Sequence, residues 1–169
     1  FQSCGAGLRE SQLHVLKVVK NTGMVVAIDI GDPTNVHPIN KKTVGQRLAF
    51  CALAKDYKKS ISYSGPIYKT MKIKDNSIIL KFDHIEKGLI CKGDKLIGFA
   101  IAGEDKKFIQ AEAQIVGDTV VVSSDKVLKP IAVRYGWQDA PLCNLYNSAN
   151  LPASPFRTDS FPAITANNK

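Results

Sequence analysis

One unbroken apolar run, Met24-Val25-Val26-Ala27-Ile28, constrains this chain more than any other stretch. Alternating apolar and polar residues would suit a strand with one wet face. A continuous, partly β-branched run suits a strand buried on both faces, and covering both faces is what an α/β sheet does. Gly31, Asp32 and Pro33 stop the run, because Gly and Pro punctuate and Asp favours turns. Pro38 disfavours helical backbone at the residue before it, which predicts an extended His37 held on a loop. Asn40 can cap a helix that runs to about Lys55 or Tyr57, with Val44, Leu48, Cys51 and Ala52 on one face. Strand, loop with acid and histidine, helix is the expected order. In open α/β sheets the loops at the carboxyl ends of strands are where ligands bind, so this loop is a candidate half of an active site.

Upstream, Leu8 to Asn21 predicts a helix with Leu8, Val15, Leu16 and Val19 as its apolar stripe, closed by Asn21-Thr22-Gly23. His14 lies beside Ser11 and Lys17 and reads as a surface histidine. Residues 1–57 therefore read as the closing helix-strand-helix unit of a doubly wound domain. A parallel sheet needs several covered strands, so most of that domain is expected to lie outside this chain. Phe1 in place of an initiator Met fits a trimmed chain or a fragment, and the first residues lack the basic start and apolar core of a signal peptide.

From Lys58 the texture changes. Short strand-like runs appear at Ile61–Tyr63, Met71–Ile73, Ile78–Phe82, Leu96–Ile101, Phe108–Ile115, Val120–Val122 and Pro130–Trp137. Turn signals such as Ser64-Gly65-Pro66, Asp75-Asn76 and Gly117-Asp118 separate them. Ile78, Leu80 and Phe82 alternate with Ile79, Lys81 and Asp83, as a sheet covered on one face requires. Residues 58–137 are thus expected to form an antiparallel β-sandwich with Leu80, Phe82, Phe99 and Val133 in its core. The tail, 138–169, is rich in Asn and Pro and predicts irregular chain.

The formal net charge of +8 raises the question of nucleic acid. The lysines are spread from Lys17 to Lys129, and no block of like charge or nucleic-acid-binding motif accompanies them, so no nucleic-acid partner is expected. A basic surface still attracts anionic ligands such as acidic sugars, without specificity. No run approaches the roughly 18 apolar residues of a membrane span, and no membrane partner is expected. Cys4, Cys51, Cys91 and Cys143 are scattered, with no Cys-x-x-Cys pair to suggest zinc, and their spacing leaves disulfides open.

Chemistry at His37 needs a nucleophile in hydrogen-bond reach and, usually, a carboxylate to orient the ring. No Gly-x-Ser-x-Gly or Gly-Asp-Ser elbow occurs in the chain. Ser60, Ser62 and Ser64 alternate along a possible strand and read as surface positions, and neither Cys4 nor Cys51 has neighbours that would activate it. By residues alone, His37 is either a base or a loop histidine packed against Pro38.

Three separated blocks carry a resemblance. Gly23 to Asp29, His37-Pro38-Ile39-Asn40-Lys41 and Val44-Gly45-Gln46-Arg47-Leu48, with Leu8-Arg9-Glu10-Ser11-Gln12 upstream, resemble the histidine block of sialate O-acetylesterases. Val133-Arg134-Tyr135-Gly136-Trp137 and Leu151 to Asp159 resemble the same family's carboxyl-terminal signature. These are SGNH-type (GDSL-like) serine esterases that remove O-acetyl groups from sialic acids. The resemblance implies the carboxyl-terminal part of such an enzyme, its serine and oxyanion donors lying in an amino-terminal part that this chain does not contain. It implies His37 as the catalytic base, with no metal or organic cofactor, and a periplasmic, secreted or lysosomal location. The wider class places an aspartate in Asp-x-x-His, where this chain has Thr34; Asp32 is the nearest substitute as acid and Asp29 the next. A competing expectation is a non-catalytic carbohydrate-binding sandwich, with Trp137, Tyr135 and Tyr146 as stacking faces for sugar.

Overall fold

The structure, a computed structural model, describes residues 3–35 and 37–162. Helix α1 spans Cys4–Val18. It starts earlier than its apolar stripe predicts because Ser3 caps it, its hydroxyl accepting from Ala6 N at 2.9 Å. Asp139 completes the cap from the other end of the sequence, accepting from Ser3 Oγ at 2.7 Å and Gly5 N at 3.0 Å. Arg9 donates to the backbone carbonyls of Gly136, Gln138 and Asp139, which seats the first turns of α1 against that segment. The helix stops at Val18, short of Asn21, whose φ of 58° is left-handed. Only Ala6 of α1 is buried; Leu8, Val15 and Val18 face outward.

The run Met24–Ile28 is not a strand, contrary to the sequence expectation; 24–27 have no regular structure and Ile28 enters a turn. A strand exists by its ladder of hydrogen bonds to a neighbour. Among the described residues no strand pairs with this run, and its side chains are half-buried or exposed. Helix α2, Lys41–Lys55, begins where expected, Asn40 Oδ1 accepting from Thr43 N at 3.1 Å. Cys51 faces inward, as its spacing predicts. The Cys51 sulfur lies so near Gly23 that a Cβ there would approach it to 2.4 Å. Val44 and Ala52 are half-buried, but Leu48 is 52% exposed and Arg47 is buried in its place.

The strands of the remaining described chain all pair antiparallel. β1 (Ile67–Lys74), β2 (Ser77–Asp83), β7 (Thr119–Ser123) and β6 (Glu112–Val116) form one sheet in the order β1-β2-β7-β6. β10 (Phe156–Arg157), β8 (Ala132–Tyr135), β4 (Phe99–Ala102) and β5 (Ile109–Gln110) form a second, in the order β10-β8-β4-β5. β3 (Leu89–Cys91) pairs with β9 (Leu145–Asn147) in a small third sheet. Leu80 and Phe82 from the first sheet, Phe99 and Val133 from the second, and Leu89 and Leu145 from the third share one core. The expected alternation along β2 holds, with Ile78, Leu80 and Phe82 inward. Ile61–Tyr63 is not a strand.

The tail is the second correction. Residues 138–162 contain β9 and β10, and Leu145, Ala153 and Phe156 belong to the core. Phe156 stacks on Tyr68 at 4.7 Å between ring centroids and meets Phe82 edge-on at 5.7 Å. Two of the asparagines that predicted irregular chain, Asn144 and Asn147, are structural. Buried Asn147 donates to the carbonyls of Ser64 and His84 and accepts from the amides of Ala149 and Leu151. Asn144 likewise donates to Lys92 O and Lys95 O and accepts from Ile97 N. A side-chain amide that satisfies several backbone groups lets irregular chain be buried.

Candidate functional site

The loop from Gly31 to Ile39 lies between Asp29 and α2, and it is exposed at both sequence-predicted site residues. Asn35 Oδ1 accepts from the His37 backbone N–H at 2.8 Å. Asp32 Oδ1 accepts from Thr34 N at 2.8 Å and from Thr34 Oγ1 at 2.7 Å, an Asx-type turn that holds its carboxyl below the usual carboxylate range. The structure therefore places Asp32 and His37 on one loop. Among the described residues no hydrogen bond or ion pair joins them, and no serine or cysteine hydrogen-bonds the histidine.

Asp29 has a different environment. Arg47 Nη1 and Nη2 each donate to it at 2.7 Å, and Nη1 also donates to Val26 O at 2.6 Å. Tyr146 donates its hydroxyl to Asp29 Oδ2 at 3.1 Å. Burial pushes the Asp29 carboxyl up, but the hydrogen bonds and charge of Arg47 outweigh it, so the net shift is downward. Burial and then the Asp29 charge push the Tyr146 hydroxyl up to about 12, so it stays a donor. With both carboxylate oxygens engaged, Asp29 is an anchor at the base of the loop.

A cavity of about 660 Å³ opens beside this anchor. Residues 24–29 and 139–143 line it, together with Arg9, Asp32 and Tyr146. Burial pushes the Cys143 thiol in that cavity up to about 11, so it is not a thiolate at neutral pH. The four cysteines are free. Among the described residues no group of three or more His, Cys, Asp or Glu side chains converges as a metal site would need.

The aromatic residues expected as sugar platforms are core. Tyr135 is 1% exposed, Trp137 6% and Tyr146 6%. The Trp137 ring lies near the guanidinium carbons of Arg134 and Arg157, 5.5 Å from each. Lys92 sits over Tyr146 at 3.7 Å.

The blocks that carried the resemblance meet in space. Arg134 donates to both oxygens of Asp159, at 2.9 and 3.0 Å, and the pair is almost sealed from water. Arg157 lies 3.6 Å from Asp159 and donates to Glu10 on α1 at 2.7 Å. The Leu8–Gln12, Val133–Trp137 and Leu151–Asp159 blocks thus form one charged network that docks α1 on the sandwich.

The chain is similar to part of a carbohydrate acetylesterase. A crystal structure of that enzyme, from Xanthomonas citri, matches with a TM-score of 0.88 and 46% identity. The match covers 92% of this chain and 36% of the enzyme's chain, so this chain spans about a third of its length. No protein-family model and no curated protein matches. The likeness supports a relationship to carbohydrate esterases. Sequence reasoning assigned neither Arg47 nor Tyr146 its role as a partner of Asp29. Arg47 lies in the Val44–Leu48 block and was visible there as an unexplained charge on an apolar-looking helix face. Tyr146, expected as a sugar-stacking face, carried no local signal of this bond, because its partner lies 117 positions away.

Proposed function

We propose that this chain is the histidine-bearing part of a serine esterase that removes O-acetyl groups from sialic acid or a related acetylated sugar. The observation that carries the reading is 46% identity to a carbohydrate acetylesterase over 92% of this chain. The exposed His37 loop between an anchored Asp29 and α2 agrees with it. In this reading His37 takes the proton of a serine hydroxyl supplied by the remainder of the enzyme. The serine oxygen attacks the acetyl carbonyl, the sugar hydroxyl leaves with the proton, and an acetyl-enzyme remains. His37 then takes a proton from water, whose oxygen attacks the acetyl group; acetate is released as His37 gives that proton to the departing serine oxygen. Asp32 is the acid partner if the loop closes its carboxylate onto the ring. Residues 1–57 complete a doubly wound SGNH-type domain together with that remainder. The outward faces of Leu8, Val15 and Val18 on α1 and of Leu48, Phe50 and Leu53 on α2 are apolar surfaces for it to cover. The enzyme would act outside the cytosol, where acetylated glycans are met.

The test is kinetic, in the full-length protein with an acetylated sugar as substrate. His37→Ala should lower kcat/KM by about a thousandfold or more, as when a triad base is lost, and Asp32→Asn by about tenfold or more. Full activity in His37→Ala would end the reading. This chain alone should hydrolyse p-nitrophenyl acetate no faster than its His37→Ala variant. Turnover clearly above that control would mean that the chain holds its own nucleophile.

A further inference from the structure

The loop that carries His37 starts just after Asp29 and ends at α2. Arg47 grips its near end, and that grip is local, since the two residues lie only 18 positions apart. The third partner is not local. Tyr146 comes from β9, which is tied to β3 by pairing, while the amide of neighbouring Asn147 fastens the chain to Ser64 and His84. Tyr146 and Asp29 both line the cavity, and the Tyr146 hydroxyl donates to Asp29 Oδ2 at 3.1 Å, a hydrogen bond strengthened by the carboxylate charge. The carboxylate at the root of the loop is therefore fixed from two separate bodies, α2 and the sandwich. Neither could shift without breaking a charged contact.

We infer that Tyr146 is a positioning residue for the esterase reaction: acting through Asp29, it lets the sandwich set the starting point of the loop that presents His37. The inference rests on the reading of His37 as the base. It gives the sandwich a part in catalysis that needs no contact with sugar.

The test uses the full-length protein and Tyr146→Phe, which removes one oxygen and keeps the buried ring. We expect kcat to fall about tenfold with KM unchanged, the loss of one hydrogen bond to a charged group. The double variant Tyr146→Phe with Asp29→Asn should be no slower than Asp29→Asn alone, since the hydroxyl acts through that carboxylate. A merely structural hydroxyl would move stability and leave kcat alone, so an unchanged kcat overturns the inference. Losses that multiply in the double variant overturn it too. Amide exchange supplies a readout without turnover. Ile30 and Thr34, both hydrogen-bonded near the loop's start, should exchange faster in Tyr146→Phe while β2 and β7 stay as in the parent. Equal protection at Ile30 and Thr34 overturns the inference. His37→Ala run alongside separates the two claims: if it keeps full activity the base assignment falls, and the exchange data alone decide whether Tyr146 fixes the loop.

Discussion

Arg47 holds Asp29 by a two-pronged ion pair, 2.7 Å at each prong, with side chains only 8% and 11% exposed. The pair joins the middle of α2 to the segment before the His37 loop. It is why a charged residue occupies the inward face of a helix whose apolar Leu48 points to water. Four consequences of this and the related contacts can be measured.

Removing the cation strands a nearly buried carboxylate. Arg47→Ala should destabilise the chain by about 3–5 kcal/mol in denaturant unfolding. Arg47→Lys should recover only part of that loss, because an ammonium cannot make the planar two-pronged contact. A variant with lysine as stable as the parent would mean that charge alone matters here.

The same pair makes stability depend on pH. Asp29 has a folded pKa below its unfolded value of about 3.9. Its contribution is therefore complete above the unfolded value and is lost as pH falls through the folded one. The stability gap between the parent and Asp29→Asn should be widest at pH 7 and close progressively below about pH 4. Unfolding curves at several pH values would show it. A gap that stays constant to pH 3 would contradict the lowered pKa.

The two ends of the charged network should differ in weight. Asp159→Ala leaves Arg134 buried without its carboxylate and should cost about 3–5 kcal/mol. Glu10, 40% exposed, pairs with Arg157 in contact with water, so Glu10→Gln should cost less than about 1 kcal/mol. Thermal or denaturant unfolding ranks them directly, and the reverse order would refute the account of the network.

Residues beyond Trp137 should be required for the sandwich. A chain ending there loses β9 and β10, with Leu145 and Phe156 from the core and the Asn144 and Asn147 hydrogen bonds. Its near-ultraviolet circular dichroism should show no fixed aromatic packing. A cooperative unfolding transition in that truncated chain would mean that 58–137 is self-sufficient.

What the sequence determined by itself follows local rules. The Asn40 cap, the inward Cys51 and the in-out alternation of Ile78, Leu80 and Phe82 depend on neighbours a few residues away, through capping geometry and the periods of helix and strand. The core set Leu80, Phe82, Phe99 and Val133 was legible for the same reason. Local rules failed where the deciding partner is distant. Met24–Ile28 has the composition of a central strand, but pairing is made by a neighbour, and no described strand lies beside it. The tail has the composition of a loop, yet Asn144 and Asn147 bury it by satisfying backbone groups contributed from elsewhere in the chain. At the site, the sequence placed Asp32 and His37 on one exposed loop and left Asp29 as a spare acid. Only the tertiary structure decided that Asp29 belongs to Arg47 and Tyr146. A hydrogen bond between residues 117 positions apart leaves no periodic trace in the chain that makes it.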